Sequence, residues 1–507
     1  MKQYLKLFLF AGLFIFNSCN SKGDRYDRII RNGMLYDGSG APGIKADIGI
    51  RNDTIAFIGD LSGATASEET DAGGQAVAPG FIDTHSHHAG NPFTHRDFMA
   101  VLSQGITSII IGQDGGSNFP LASFYQKLTD TPVAINIGSY SGHNTIRDSI
   151  LGKDFKRAAT PAETARMKAL LLQDMKAGAL GLSTGLEYDP GIYSAREEVM
   201  ELTKTIVPFN GRYISHIRSE DRYFWNAIEE IIRIGKTTGV PVQVSHIKLA
   251  MHNLWGKADS LLSLMDAARK EGVNITSDIY PYAFWHSTIR VLFPDRNFTD
   301  EKEADLILKN ITLPEDIILA AYEINPAYEG KTLAAIAALE NKTASRMLVE
   351  LIARIEAWEK THNEECRESI MATSMAEKDI TRLMQWPYAN ICSDGSSSGR
   401  HPRGYGAFTR VLAKYTREEK ALTLAQAIYK MTGLAATNLA IEKRGFLRPG
   451  YYADIVLFNP STVKDLASVE QPHALSEGII QVWVNGQPVY QDKKGSGLYP
   501  GQLIKRK

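Results

Sequence analysis

Two histidines one residue apart, His85 and His87, lie in the segment Pro79-Gly80-Phe81-Ile82-Asp83-Thr84-His85-Ser86-His87-His88. Along an extended strand, side chains at i and i+2 share a face. Their imidazoles therefore converge and can hold a divalent metal, while His88 faces the other way. Four further donors each end another apolar run. Asp114 follows Ile111-Gly112-Gln113, His216 follows Tyr213-Ile214-Ser215, His246 follows Val242-Gln243-Val244-Ser245, and Asp394 follows Asn390-Ile391-Cys392-Ser393. Each alone has an ordinary structural explanation, as a histidine paired to a carbonyl or an aspartate capping a turn. Together they supply the imidazole and carboxylate donors for one or two divalent metals such as Zn2+. The chemistry of such a set is hydrolytic, because a bound cation brings the pKa of water down to roughly 7 and polarises a carbonyl.

These donors need a scaffold that gathers them. Short Val-, Ile- and small-residue runs alternate with segments of helical period, a rhythm of βα units around a parallel sheet. The runs are Val77–Asp83, Ile106–Ile111, Val133–Ser139, Ala179–Thr184, Arg212–His216, Val240–His246, Asn274–Asp278 and Ala389–Asp394. Between them the clearest helix is predicted over Pro161–Lys176, opened by Thr160-Pro161, closed by Gly178, and apolar at Met167, Leu170, Leu171 and Met175. Eight strands with intervening helices predict a TIM-type (β/α)8 barrel, whose chemistry sits at the carboxyl ends of the strands. All six donors fall at or near such ends. A doubly wound sheet would share the alternation, but no glycine-rich phosphate loop follows the first strand.

The predicted barrel occupies residues 78–440. The flanks, 20–77 and 441–507, read as short strands with turns, and neither can bury a core alone. They are expected to pair into one small β-sandwich built from both chain ends. Residues 283–387, between strands seven and eight, form an insertion expected to be mostly helical after Thr299. Its position suits a lid or substrate platform, with a plain surface decoration as the alternative.

The 507 residues carry 56 basic and 57 acidic groups, so charge gives no reason to propose nucleic acid as a partner. Three cysteines, Cys19, Cys366 and Cys392, cannot build a disulfide framework. Residues 1–19 read as a targeting segment, with Lys2 and Lys6 at its positive end and an apolar stretch over Leu5–Phe16 broken only by Lys6. The close at Asn17-Ser18-Cys19 resembles the lipobox of bacterial lipoproteins. That resemblance implies lipidation of Cys19, a membrane anchor and a place in the bacterial cell envelope. An ordinary cleaved signal with an incidental Cys19 is the alternative.

A wider resemblance covers nearly the whole mature chain. It runs through Pro79–His87, Gly181-Leu182-Ser183-Thr184-Gly185-Leu186-Glu187-Tyr188, Ser215-His216-Ile217-Arg218-Ser219-Glu220 and Ser245-His246-Ile247-Lys248. It continues through Tyr280-Pro281-Tyr282, Ser393-Asp394-Gly395, His401-Pro402-Arg403-Gly404-Tyr405-Gly406 and Gly450-Tyr451-Tyr452-Ala453-Asp454-Ile455-Val456. In these motifs the sequence resembles the N-acyl-D-amino-acid deacylase (D-aminoacylase) family of the amidohydrolase superfamily. The resemblance implies an outer metal position at His85, His87 and Asp394 and a tighter one at His216, His246 and residue 114. The family commonly carries cysteine there. Asp114 is a harder ligand than thiolate and can bridge two ions, which leaves metal number and identity open. Glu187 is a weaker candidate for a bridging position.

The resemblance further implies hydrolysis of an N-acyl-D-amino acid, or of a short peptide with a D residue. Asp394 would take a proton from the attacking water and pass it to the departing nitrogen. Lys248, Tyr188, Tyr282 and Arg403 would hold the α-carboxylate. His143, with Arg147, matches a further family motif and is counted among the substrate-binding residues, and Trp285 and His286 are expected to shape a side-chain pocket, with plain packing as the alternative. Two alternatives remain: a cyclic-amide hydrolase like dihydroorotase or dihydropyrimidinase, and a surface-anchored binding protein that kept the barrel without its chemistry.

Overall fold

The computed structural model describes residues 25–506. The targeting segment and Cys19 lie outside the described residues. Eight parallel strands form the barrel: β1 (Phe81–Asp83), β2 (Ile106–Ile111), β3 (Asn136–Ser139, resuming at Ser141–Gly142), β4 (Gly181–Gly185), β5 (Arg212–His216), β6 (Val242–Val244), β7 (Ile275–Ile279) and β8 (Ala389–Ile391). Each pairs with the next in chain order. The ring closes between β8 and β1 just beyond both strands. There Asp394 N donates to His85 O at 2.9 Å and His87 N to Gly395 O at 2.9 Å. The Asp83 carboxylate reinforces the seam by accepting from Ser393 N at 2.8 Å.

The helix that packs outside β4 shows why the sequence reads cleanly here. It spans Pro161–Ala177, and its Thr160 and Glu163 side chains each cap the other's backbone amide. Gly178 ends it at φ 104, a conformation that glycine takes without strain. Met167, Leu171 and Met175 turn inward, on the face its periodicity marked.

Four boundaries differ from the sequence reading. The run Val77–Asp83 is two strands: Ala76–Pro79 belongs to the flanking sheet and β1 to the barrel. The break is at Gly80, where an added Cβ would stand 2.2 Å from the Thr107 side chain. The flanks do join, in a nine-stranded sheet whose N- and C-terminal parts meet where Ala76–Pro79 pairs antiparallel with Ile455–Phe458. Ile30, Ile48 and Ile55 from one end share a core with Ile455, Leu457 and Trp483 from the other. The extreme C-terminus, however, returns to the barrel. Leu503–Ile504 pairs with Ile137 and Gly138, taking the edge that β3 leaves open before Ser141–Gly142 joins β4. The insertion is not purely helical: Phe284–Ser287, Ile317–Tyr322 and Glu368–Thr373 form an antiparallel sheet beside the helices Glu301–Asn310, Leu333–Leu339 and Ala344–His362. It also ends earlier than residue 387, because the helix Glu377–Met384 packs on β7 and β8 as a barrel helix.

Candidate metal centre

The six donors converge at the carboxyl mouth of the barrel. His85, His87, Asp114 and Asp394 form one set, and Asp114, His216 and His246 another, with the ligand atoms of each within 4.8 Å of one another. Asp114 belongs to both. Its Oδ2 lies 3.2 Å from His85 Nε2 and 3.3 Å from His87 Nε2, while its Oδ1 lies 3.3 Å from His246 Nε2. Asp394 Oδ1 stands 3.5 Å from His85 Nε2 and 3.3 Å from His87 Nε2. His216 Nδ1 is 3.0 Å from His246 Nε2.

Local backbone explains how these side chains are aimed. Asp114, His246 and Asp394 all take positive φ, at 52°, 34° and 48°. Such conformations cost about 1–3 kcal/mol each in non-glycine residues and persist where the surroundings over-determine them. Around Asp114 the turn depends on Gly112, at φ 75°, where a Cβ would sit 2.3 Å from Tyr140 O. Gln113 Nε2 then ties the loop to Thr84 O at 2.9 Å, which sets Asp114 against His85.

Behind the donors stand carboxylates that the sequence did not single out as a set. Glu187 Oε2 is 2.9 Å from His216 Nε2, and its Oε1 accepts from Glu220 N at 2.9 Å. Glu220 Oε1 is 3.1 Å from His246 Nδ1. Asp278 Oδ1 is 4.0 Å from His85 Nδ1. A carboxylate on the far nitrogen fixes the tautomer that leaves the near nitrogen free to ligate. Glu187 thus stands behind His216 rather than between the two sets. Glu187, His216 and Glu220 themselves lie at metal-ligand spacing, but Lys248 Nζ donates to both Glu220 oxygens at 2.6 and 2.7 Å.

The electrostatics fit a cation. Burial alone would raise the pKa of Asp114, yet His85 and His246 hold it well below the ordinary carboxylate value. Burial would likewise raise Asp394, and Arg403, His246 and His85 hold it well below. Conversely, burial would lower His87, but Asp114 and Asp394 push it up to about 9. His246 is pushed up to about 10, because Glu220, Asp114 and Asp394 outweigh burial and Lys248. Asp114 Oδ1 is buried with only His246 Nε2 beside it, at 3.3 Å, and a carboxylate buried this deeply needs positive charge about it. The residues present fit a metal.

Two cavities open beside the centre. A cavity of about 520 Å3 lies over His87, Asp114 and Asp394, with Gln113, Ser117, Asn118 and Ser396 in its polar wall. A smaller cavity of about 40 Å3 lies over His216 and His246, beneath Trp285, Val291, Leu292 and Ile311. Tyr188, His286, Asp394 and Arg403 line both. Arg403 Nη1 pairs with Asp394 Oδ2 at 2.6 Å, and the Tyr188 ring centre lies 4.4 Å from that of His216. Lys248 lines only the smaller of the two.

Two other candidates fall elsewhere. Tyr282 is buried against His401 and under Arg410 and lines neither cavity. Its neighbour Tyr280 is closer to the centre, with the Arg403 guanidinium 4.7 Å over its ring. His143 is fully buried in the helix His143–Leu151, with Nε2 2.8 Å from Glu198, and it also lines neither cavity. Arg147 binds the same carboxylate at 2.6 Å, so the pair braces the loop after β3. His88 is held by Gly404 O at 2.8 Å, and burial pushes it down to about 4.

The sequence profile of the amidohydrolase family matches residues 68–389 and 390–490. The chain is 33% identical to a D-aminoacylase of Alcaligenes xylosoxydans xylosoxydans, over 96% of this chain and 99% of that one. It is 34% identical to an N-acyl-D-glutamate deacylase of the same organism, over 95% of this chain and 97% of that one. Among solved structures it resembles the N-acyl-D-glutamate deacylase of Bordetella bronchiseptica in complex with zinc and a phosphonate mimic of the tetrahedral intermediate. The TM-score is 0.85 at 32% identity, covering 95% of this chain and 100% of that one.

Proposed function

The chain belongs to the amidohydrolase family, and on that premise we propose that it hydrolyses the amide of an N-acyl-D-amino acid, or of a short peptide ending in a D residue. The products are a carboxylate and a free amine. One observation carries the reading: donors from β1, β2, β5, β6 and β8 meet in two ligand sets that share Asp114, under cavities that reach solvent.

A divalent ion in these sets supplies an activated water and a polarised carbonyl. The chain's own groups do the rest. Asp394 stays ionised, beside Arg403 at 2.6 Å, and accepts a proton at a carboxylate oxygen. It then returns that proton to the departing nitrogen, a transfer that is required because an amide anion is a very poor leaving group. Arg403 and Lys248 supply positive charge for the substrate carboxylate, with the Tyr188 hydroxyl as a further donor. Glu187 keeps His216 in the ligating tautomer, while His246 Nδ1 meets both Glu220 Oε1 at 3.1 Å and Lys248 Nζ at 2.7 Å.

The test is amine release from N-acetyl-D-amino acids, with N-acetyl-L compounds as controls, beside ring opening of hydantoins and dihydropyrimidines. Release from the D series supports the reading. Ring opening without deacylation overturns it.

Zn2+ is the proposed ion, supported by four imidazoles among six donors; metal analysis of protein purified without added metal tests this. Export to the cell envelope and a lipid anchor at Cys19 are proposed from the segment Lys2–Cys19. Cys19→Ala should move the protein out of the membrane fraction, and an unchanged distribution refutes the anchor.

A further inference from the structure

At the amino-terminal end of the barrel, away from the metal centre, two guanidinium groups come together beside a buried phenol. We propose that Arg212, Arg506 and the Tyr140 hydroxyl bind a small monovalent anion of the halide class. The site is independent of the deacylase reading.

Strand register brings the three side chains to one level. Gly181 of β4 pairs with Arg212 at the start of β5, and Leu182 pairs with Ser141. Tyr140, one residue before Ser141, therefore stands level with Arg212. The strand Leu503–Ile504 pairs Ile504 with Gly138, and two residues further on Arg506 reaches the same level. Arg212 N and Arg506 Nη2 both donate to Leu180 O, at 3.1 and 3.2 Å. Ile214 and Ile504, each two residues from one of these arginines, share a core with Tyr140, Ile82 and Ile110 inside the barrel. By the alternation of a strand, Arg212 and Arg506 turn the same way. Arg212 and Tyr140 are 1% and 0% exposed.

The charge there is not answered by the protein. Arg212 Nη1 donates to Asn438 O at 2.6 Å, and its Nη2 donates to Thr276 Oγ1 and, at 3.3 Å, to Gln243 Oε1. All of these acceptors are neutral. The carboxylate whose field reaches Arg212 is Asp278, which already accepts from Gln243 Nε2, Thr84 Oγ1 and His246 N. Among the described residues Arg212 Nε, Arg506 Nε and Tyr140 Oη are buried and meet no acceptor. Burial pushes Arg212 down to about 10, and the charge on Arg506 pushes the same way. Burial pushes Tyr140 up to about 12, so the phenol keeps its proton and can donate. Idle donors and like charges held out of water are costly, and one anion offsets both through charge-assisted hydrogen bonds. The ligand is monatomic on the same count. Three donors suit one small ion, whereas the oxygens of sulfate or phosphate would need more. A water molecule is the competing occupant, but it accepts only two hydrogen bonds and leaves the charge unmet.

Diffraction from crystals of the full chain grown in sodium bromide tests this directly. An anomalous peak in contact with Tyr140 Oη and both Nε atoms is expected. Density there without bromide signal means water and overturns the proposal. In solution, the melting temperature should rise saturably as chloride replaces gluconate at constant ionic strength. Tyr140→Phe removes one donor and keeps the ring, so the apparent chloride affinity should fall at least about tenfold. Arg506→Gln should abolish the response, whereas Arg157→Gln, at an arginine paired with Asp154 and Glu163 on the surface, should leave it intact. The same chloride response in all three variants refutes the site, and where a variant does not fold the bromide map decides.

Discussion

Replacing Glu187 by glutamine should weaken metal binding although residue 187 touches no ion. In the native arrangement Oε1 accepts from Glu220 N at 2.9 Å and Oε2 faces His216 Nε2 at 2.9 Å. Glutamine has one acceptor oxygen. If it stays on Glu220 N, the amide NH2 must donate to His216 Nε2, and the imidazole proton moves to Nδ1. That nitrogen is the one facing His246 at 3.0 Å and is the ligating atom. Metal binding must then break the new hydrogen bond, at about 1 kcal/mol, and forgo the charged one, worth about 1–1.5 kcal/mol more than a neutral bond. Glu187 and His216 are 6% and 3% exposed, so solvent screens little of this. The sum is about 2–2.5 kcal/mol, or roughly a 30- to 70-fold weaker Kd, in line with losses on removing a group that orients a metal ligand. Competition with a chromophoric chelator reads the Kd directly. Glu198→Gln, the same change at the buried His143 pair, is the control and should leave the Kd alone. An intact fold with a Kd within about twofold of the unaltered chain refutes the tautomer argument.

Asp394→Asn should lower turnover by at least about a hundredfold, within the range for loss of a general acid–base, with an unchanged far-UV circular dichroism spectrum; retained turnover removes Asp394 from proton transfer. Asp114→Asn leaves one acceptor oxygen where the two sets share a carboxylate, and mass-spectrometric metal analysis should find fewer ions per chain than in the unaltered protein, whereas an unchanged count rejects a bridging role. In the metal-free chain, His87 and His246 are raised to about 9 and about 10. Groups raised above the unfolded value stabilise fully below that value, near 6.5, and lose the contribution as pH rises through the folded value. The melting temperature of the metal-free protein should therefore decline between about pH 6.5 and 10, and metal loading at pH 7.5 should release protons, detectable as a dependence of the binding heat on buffer ionisation enthalpy. A flat pH profile and a buffer-independent heat would contradict the proton-for-metal exchange.

The eight strands and the six donors that converge at the barrel mouth are legible in the sequence because both obey short-range rules. Apolar runs mark strands, and the first turn beyond a strand marks the mouth of a barrel. His85, His87, Asp114, His216, His246 and Asp394 were found from those positions alone. What escaped was set by neighbours distant in the chain. Glu220 closes the motif Ser215–Glu220 with no role to read from the sequence until the fold places Lys248 and His246 on it. Tyr282 and Tyr280 stand two residues apart in one motif, and only packing against Arg403 or Arg410 tells them apart. His143 matched a motif, yet its partner Glu198 lies 55 residues away. The insertion's three strands were missed because antiparallel pairing between residues near 318 and 371 leaves no local periodic mark beside long helices.

The supporting carboxylates follow a register of their own. Glu187 lies just past β4 and serves His216 at the end of β5; Glu220 lies past β5 and serves His246 past β6. In both cases the carboxylate comes from the strand immediately before the imidazole. Neighbouring strands stand about 4.8 Å apart, so a side chain of glutamate length, set one turn beyond its own strand, reaches the far nitrogen of the next strand's histidine. Asp278 is shorter and sits on β7 itself, and it reaches His85 Nδ1 only at 4.0 Å. The length of the side chain and its height above the barrel thus determine how firmly each imidazole is held. On that ground His216 and His246 are the rigid half of the centre. His87, with 38% of its side chain exposed and the carboxylates Asp114 and Asp394 on its near nitrogen, is the imidazole that faces the larger cavity.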